Sequence, residues 1–146
     1  MIDYFQCFFS QTYTLMFQTQ RMHWNVSGKD FFALHGFFKE CYELLFESVD
    51  SFAERIRSLG SFPPETLTHL EHVTHTHSTW TALENECAPT KMVEIFLENT
   101  HILLTQGRAL CVVAGEQNDF VTQDVIVSFL EKLELLQWKA RSYLRN

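Results

Sequence analysis

Residues 33–56 read ALHGFFKECYELLFESVDSFAERI, and this stretch decides the fold because it forms the middle of one long helix. Asp30 can cap the start of that helix, and Gly60 with Pro63 and Pro64, in SLGSFPP, ends it. The helix between these signals has about 30 residues and is roughly 45 Å long. The stretch therefore predicts a long second helix.

Apolar residues at helical spacing predict three more long helices. The first runs from about Ile2 to Val26, the third from Pro89 and Thr90 to near Gly115, and the fourth from Asp119 or Thr122 almost to the last residue. A polar segment, residues 65–90, predicts a short helix and loops between helices 2 and 3. We therefore predict an all-α four-helix bundle with a crossover connection, forming one domain over residues 1–146.

Composition narrows the class of protein. The chain has 146 residues, 46% of them apolar and 20% charged, which is typical of a folded domain rather than a disordered one. Its net charge of −7 disfavours non-specific binding to nucleic acid. Lys139, Arg141 and Arg145 cluster near the end of the chain, but the first basic residue is Arg21, so no basic arm precedes the first helix. We expect DNA binding to be disfavoured.

Cysteine usage and hydropathy indicate the compartment. Cys7, Cys41, Cys87 and Cys111 are scattered and form no CxxC pair, so we expect reduced core thiols. No cationic segment precedes an apolar run, as it would in a signal peptide. No apolar run is long enough to span a bilayer. The sequence therefore predicts a cytoplasmic protein without a membrane partner.

Chemistry-bearing side chains share one face of the second helix. Relative to His35, Lys39 lies at about 40°, Asp50 at about 60° and Glu54 at about 100° around the axis. His35 and Asp50 are separated by about 22 Å along it, so one helix cannot bring both to one metal ion. Two copies packed antiparallel about a two-fold axis can, and His23 at the end of the first helix can join them. Nitrogen and oxygen ligands together suit iron.

An ordinary helix face explains the same residues. Asp50 and Glu54 can be solvated carboxylates, with Glu54 supported by Arg57 one turn on. His23 and His35 can be hydrogen-bonded core histidines. Spacing alone leaves both interpretations open.

The motifs around this face resemble those of a known family. HWNVSG (residues 23–28), FFALH (31–35), Tyr42 and DSFAERIRSLG (50–60) closely resemble the signature of the Dps proteins, the mini-ferritins. The segment TQDVIVSFLEKLELLQWKARSYL (122–144) is similar to the last helix of that family. The resemblance covers essentially the whole chain.

The resemblance implies a ferritin-like four-helix bundle that assembles into a hollow shell of twelve subunits. Such proteins bind Fe(II) across two-fold interfaces, oxidise it, typically with hydrogen peroxide, and store ferric iron inside; some also coat DNA. Carried over by position, the ferroxidase ligands are His23 and His35 from one subunit with Asp50 and Glu54 from its partner. Trp24 matches the family's tryptophan near that site, as a quencher of oxidising equivalents.

Lys39 departs from the family pattern, which has an acidic residue one turn after the second histidine. At an effective dielectric constant near 20, each unit of charge about 4–5 Å away is worth roughly 3–4 kcal/mol, an upper bound because lysine can extend into solvent. Either Lys39 pairs with the partner's Asp50 or the partner's Glu54 and closes the site, or it turns away and leaves a weakened ferroxidase. Glu40 points about 140° from His35 and is a poor substitute ligand.

Three further groups of residues remain to be interpreted. A histidine cluster in the crossover is either an accessory site for a metal such as zinc or a solvated polar connection. If its segment is helical, His69 and His72 share a face, whereas an extended segment would align His75 and His77. Acidic residues near the start of the last helix match pore-lining positions of ferritin-like shells, or are solvated caps. We expect His101 to be a buried core residue. The cluster consists of His69, His72, His75 and His77, and the acidic residues are Glu116, Asp119 and Asp124.

Overall fold

The structure, a computed structural model, describes residues 1–75 in full, the backbone of residues 76 and 77, and residues 80–145. Its described part contains four long helices and one short helix. They are α1 (Ile2–Asn25), α2 (Phe31–Ser58), α3 (Leu67–His77), α4 (Pro89–Glu116) and α5 (Phe120–Leu144). The predicted all-α architecture, with a short helix in the crossover between the second and third long helices, is confirmed. None of the described helices has the length and apolar character needed to cross a bilayer.

The helix boundaries agree with the predicted signals, with one correction. Pro89 is in the first turn of α4, where its missing N–H costs nothing. Asp119 caps α5 by accepting a hydrogen bond from the Thr122 backbone N–H at 3.0 Å. Asp30 occupies the N-cap position of α2, but its side chain makes no capping hydrogen bond. It accepts instead from the Tyr143 hydroxyl at 2.9 Å, which ties the start of α2 to the end of α5.

An aromatic cluster joins three of the long helices in the core. The Phe52 ring of α2 lies 5.9 Å from Phe5, 5.3 Å from Phe8 and 5.1 Å from Phe129 between ring centroids. Gly107 lets α4 approach this cluster closely, because a Cβ there would lie 2.6 Å from Leu130 and 3.1 Å from Phe8. The long helices are thus held by interlocking rings and one close approach.

The end of the crossover is fastened by a buried amide network. Asn99 of α4 accepts from the Thr81 N–H at 3.0 Å and donates to the Thr81 carbonyl at 3.1 Å, so one side chain satisfies both backbone groups. Gln18 of α1 also donates to that carbonyl, at 2.8 Å, and accepts from Asn99 at 2.6 Å. The crossover is therefore bound to α1 and α4 together.

Two predictions about individual side chains are wrong in part. His101 is exposed rather than buried, because the inward face of α4 is formed by residues such as Thr100 and Leu104 on either side of it. All four cysteines are free thiols, but only Cys7 and Cys41 are buried. Burial raises the pKa of Cys7 to about 11, which keeps that thiol protonated.

Candidate metal centre

His23 and His35 hold one another through reciprocal hydrogen bonds. His23 Nδ1 lies 2.7 Å from the His35 carbonyl oxygen, and His35 Nδ1 lies 2.7 Å from the His23 carbonyl oxygen. The two imidazole rings are stacked, with centroids 3.7 Å apart and planes inclined by 16°. The end of α1 and the first turns of α2 therefore bring both predicted histidines into one unit.

The hydrogen bonds fix the tautomer of both rings. A carbonyl oxygen can only accept, so each Nδ1 must carry the proton. In the neutral form the lone pair then resides on Nε2, and neither Nε2 makes a hydrogen bond within the described part of the chain. This is the pattern of metal-binding histidines, in which one nitrogen is anchored to a carbonyl and the other coordinates.

Two aromatic rings that the sequence analysis did not connect with the histidines complete this unit. The Phe31 ring stacks on His35 with centroids 4.7 Å apart, and the Tyr42 ring meets His23 edge-on at 5.3 Å. The spacing of Phe31 and His35, four residues apart on one helix, is the sequence signal that could have revealed the first contact. The His23 contact depends on how two helices meet, which spacing does not reveal.

The predicted carboxylate ligands lie away from the histidines. α2 is one unbroken helix, so Asp50, fifteen residues after His35, is about 22 Å further along the axis. Asp50 and Glu54 are both exposed, and neither forms an ion pair with any described residue of the protomer. Arg57 stacks on Phe62 instead of supporting Glu54, its guanidinium carbon lying 3.8 Å from the ring centroid.

No three potential ligands meet within the described residues of one protomer. The histidine pair, at the junction of α1 and α2, and the two carboxylates, further along α2, are accordingly two separate groups. Whatever site these residues form, a single protomer does not assemble it from the described residues.

Lys39 points along its own helix. Its ammonium lies 3.9 Å from the Glu43 carboxylate, and both side chains are more than half exposed. Glu40 of α2 instead forms an ion pair with Lys139 of α5. Lys39 therefore contributes a solvated positive charge one helical turn after His35, and neither Glu40 nor Glu43 is in contact with the histidines in the described structure.

Trp24 follows His23 in sequence but faces outward. Its side chain is 59% exposed and meets the Phe17 ring edge-on at 6.5 Å. It makes no ring contact with His23 in the described structure. The predicted role in quenching oxidising equivalents stays a prediction.

The histidines of the crossover lie on α3 or at its end. His69, His72 and His75 are exposed, and because the segment is helical, the extended alignment of His75 with His77 is wrong. The side chain of His77 lies outside the described residues. His69 and His72 are three residues apart, so they share a helix face, and the accessory metal site stays a prediction.

The acidic residues at the start of α5 have different surroundings. Asp119 accepts a hydrogen bond from Arg55 at 2.8 Å in addition to those from Thr122. Burial alone would raise the pKa of Asp119, but the hydrogen bonds from Thr122 and the charge of Arg55 outweigh it, so the pKa is lowered. Glu116 and Asp124 are exposed and free of such bonds in the part of the chain that is described. Asp119 thus serves as a cap, and the pore role stays a prediction for all three.

Comparison with known proteins agrees with this architecture. The ferritin-like domain family model matches residues 9–146. A DNA protection during starvation protein from Porphyromonas gingivalis is 32% identical over 123 residues, covering 83% of this chain and 74% of that protein. Dps from Staphylococcus aureus is 25% identical, with a TM-score of 0.91 over 99% of this chain and 95% of its own. The fold also matches Dps from Thermosynechococcus elongatus, with a TM-score of 0.92 at 20% identity over 99% and 90% of the two chains.

The family match spans most of the chain, and the fold matches include the short helix of the crossover. The resemblance that the motifs of residues 23–60 indicate is confirmed. The chain belongs to the Dps family of ferritin-like proteins.

Proposed function

We propose that the chain is an iron-binding mini-ferritin of the cytoplasm. It oxidises Fe(II), preferably with hydrogen peroxide, at sites between subunits and stores ferric iron in a hollow shell of twelve subunits, which limits oxidative damage. Family membership supports this proposal, as does the stress-related naming of a relative, a DNA protection during starvation protein. The single observation that carries it is the reciprocal pairing of His23 and His35, which leaves both Nε2 atoms for metal.

The ligand set combines two subunits. His23 and His35 supply nitrogen from one, and the partner subunit's Asp50 and the partner subunit's Glu54 supply oxygen. Antiparallel pairing of two α2 helices about a two-fold axis brings the halves together and creates two equivalent sites. Two imidazoles and two carboxylates suit Fe(II), and the charge of the carboxylates stabilises the Fe(III) product more than the substrate.

The reaction uses peroxide as the two-electron oxidant. Two Fe(II) ions each give one electron, the O–O bond breaks, and two hydroxide ions form without release of a hydroxyl radical. The protons of His23 and His35 stay on Nδ1, each hydrogen-bonded to its carbonyl partner, so the rings coordinate through Nε2 without changing tautomer. Ferric ions then move to the inner surface, where mineral nucleates.

The lysine at position 39 supports a second candidate function, that of a shell with the same fold but without ferroxidase activity. In that case the ammonium pairs with the partner's Asp50 or the partner's Glu54 and takes the place of iron. The protein would then be structural, DNA-associated or dedicated to another metal, such as zinc at His69, His72, His75 and His77. We favour the active site, because the Lys39 side chain is solvated and lies beside Glu43 of its own helix.

Mixed assembly of two inactive variants tests the shared site. His35→Ala and Asp50→Ala shells should each lose peroxide-dependent Fe(II) oxidation. Coexpressed in equal amounts, they should recover about one quarter of wild-type activity, because half of the two-fold pairs are mixed and each mixed pair has one intact site of two. His101→Ala, an exposed histidine of α4, is the matched control and should retain full activity. No recovery in mixed shells would contradict a site built from two subunits.

A further inference from the structure

His35 is enclosed between two ring faces. The His23 ring is stacked on it at 3.7 Å, and the Phe31 ring is stacked on it at 4.7 Å with an interplanar angle of 22°. Phe31 and His23 make no ring contact with each other in the described structure, which places them on opposite faces of His35. Phe31 is the first residue of α2 and precedes His35 by one turn, so both rings project from the same side of the helix. The three rings form a continuous column of Phe31, His35 and His23.

We propose that Phe31 is a positioning residue for the iron site, whose ring holds the His35 imidazole in the plane that aims Nε2 at the metal ion. This inference rests on the proposed function, since it concerns the same site. It adds an aromatic residue that coordinates nothing and acts only through His35.

The hydrogen bond of His35 does not fix the ring by itself. A single contact from Nδ1 to the His23 carbonyl holds one atom, and the ring can still rock about that contact. Ring faces on both sides restrict this motion, so the orientational freedom of His35 is removed before metal binds. The negative face of the phenyl ring also stabilises the positive charge that the imidazole gains when Nε2 coordinates a cation.

The surroundings of Phe31 make it a fixed support rather than a mobile one. Its backbone N–H donates to the Gly28 carbonyl at 3.1 Å, which closes the turn before α2. Its ring is partly buried and packs against the hydrophobic core. Phe32 offers a matched control, because its side chain is 90% exposed and touches Phe31 edge-on at 5.4 Å without a ring contact to either histidine in the described structure.

Anaerobic titration with Co(II), followed by its visible absorption bands, tests the proposal without iron chemistry. Phe31→Leu keeps an apolar side chain but removes the ring face, and we expect about two- to tenfold weaker Co(II) binding with a changed band shape. Phe31→Tyr keeps the ring and should restore both affinity and band shape, which a merely structural effect on α2 would not explain. Phe32→Leu should bind like the wild type. Phe31→Met replaces Phe31→Leu if the latter does not assemble.

This titration distinguishes a failure of the proposed role of Phe31 from a failure of the proposed function. Wild-type affinity and band shape in Phe31→Leu would overturn the role of Phe31 and leave the proposed site intact, provided that His35→Ala abolishes binding. Co(II) binding that persists unchanged in His35→Ala would overturn the proposed function, and with it the role of Phe31.

Discussion

The Lys39 ammonium lies 3.9 Å from the Glu43 carboxylate on the same face of α2, one turn after His35. Both side chains are more than half exposed, so the pair is weak and solvent screens it. The positive charge one turn after His35 is thus neither buried nor firmly neutralised. Under the proposed function, iron binding requires the Lys39 side chain to stay turned away from the site.

Acid should unfold the protein partly through Asp119. The pKa of this carboxyl is lowered in the folded state, so the unfolded chain takes up its proton first as the pH falls. Its stabilising contribution is therefore present above about pH 4 and is lost as the pH falls further through the folded pKa. Asp119→Ala should cost about 1–3 kcal/mol at neutral pH, from the lost cap and the lost bond to Arg55.

Thermal unfolding at neutral pH and at about pH 3 measures this difference. The gap in melting temperature between wild type and Asp119→Ala should narrow in acid. Asp124→Ala, an exposed carboxylate on the same helix, should melt like the wild type at both pH values. A gap that stays constant in acid would show that Asp119 does not act through its charge.

Asn99 should be important for the crossover. Asn99→Ala leaves the Thr81 N–H without its partner and removes one of two donors to the Thr81 carbonyl, so we expect a loss of about 1–3 kcal/mol. Asn85→Ala removes an exposed contact to Arg21 and should change stability by less than about 0.5 kcal/mol. Denaturant unfolding of the three proteins compares these losses. Equal stability of the two variants would refute the importance of the buried network.

Much of the fold could be predicted from the sequence, because the signals that start and end its helices act over short stretches of chain. Helical spacing, Pro89 and the cap at Asp119 predict the long helices and the crossover, because each signal acts within one turn of chain. Asp30 shows the limit: its position at the N-cap is predictable, but its bond to Tyr143 depends on the packing of α2 against α5. His101 shows a second limit of sequence-based prediction, because the neighbouring helices decide which face of α4 is buried.

The candidate site likewise has one part that the sequence predicts and another that it does not. The shared face of His35, Lys39, Asp50 and Glu54 follows from helix geometry alone. The reciprocal bonds between His23 and His35 could not be predicted, because they require the loop between α1 and α2 to place two backbone carbonyls opposite two rings. The proposed pairing of the carboxylates with a second subunit's histidines lies beyond the protomer, and the protomer's own sequence pattern only suggests it.

DNA should not be retained at physiological salt. The net charge of −7 repels a polyanion, and Lys139 of the basic cluster is engaged with Glu40. In a mobility-shift assay at about 0.15 M salt we expect wild type and Lys139→Gln to leave DNA unshifted. A clear shift with the wild type that Lys139→Gln weakens would mean that the basic cluster binds DNA after all.

Oxidation of Fe(II) by stoichiometric peroxide under anaerobic conditions tests the central claim most directly, with wild type, Lys39→Glu and His35→Ala compared side by side. Lys132→Glu, an exposed lysine of α5, serves as the matched charge control. We predict that the wild type oxidises Fe(II) faster than buffer, that His35→Ala abolishes this, and that Lys39→Glu increases it at least about tenfold, since 1.4 kcal/mol of recovered attraction suffices. A wild type no faster than buffer, with activity appearing only in Lys39→Glu, would contradict the account and show that Lys39 has closed the iron site.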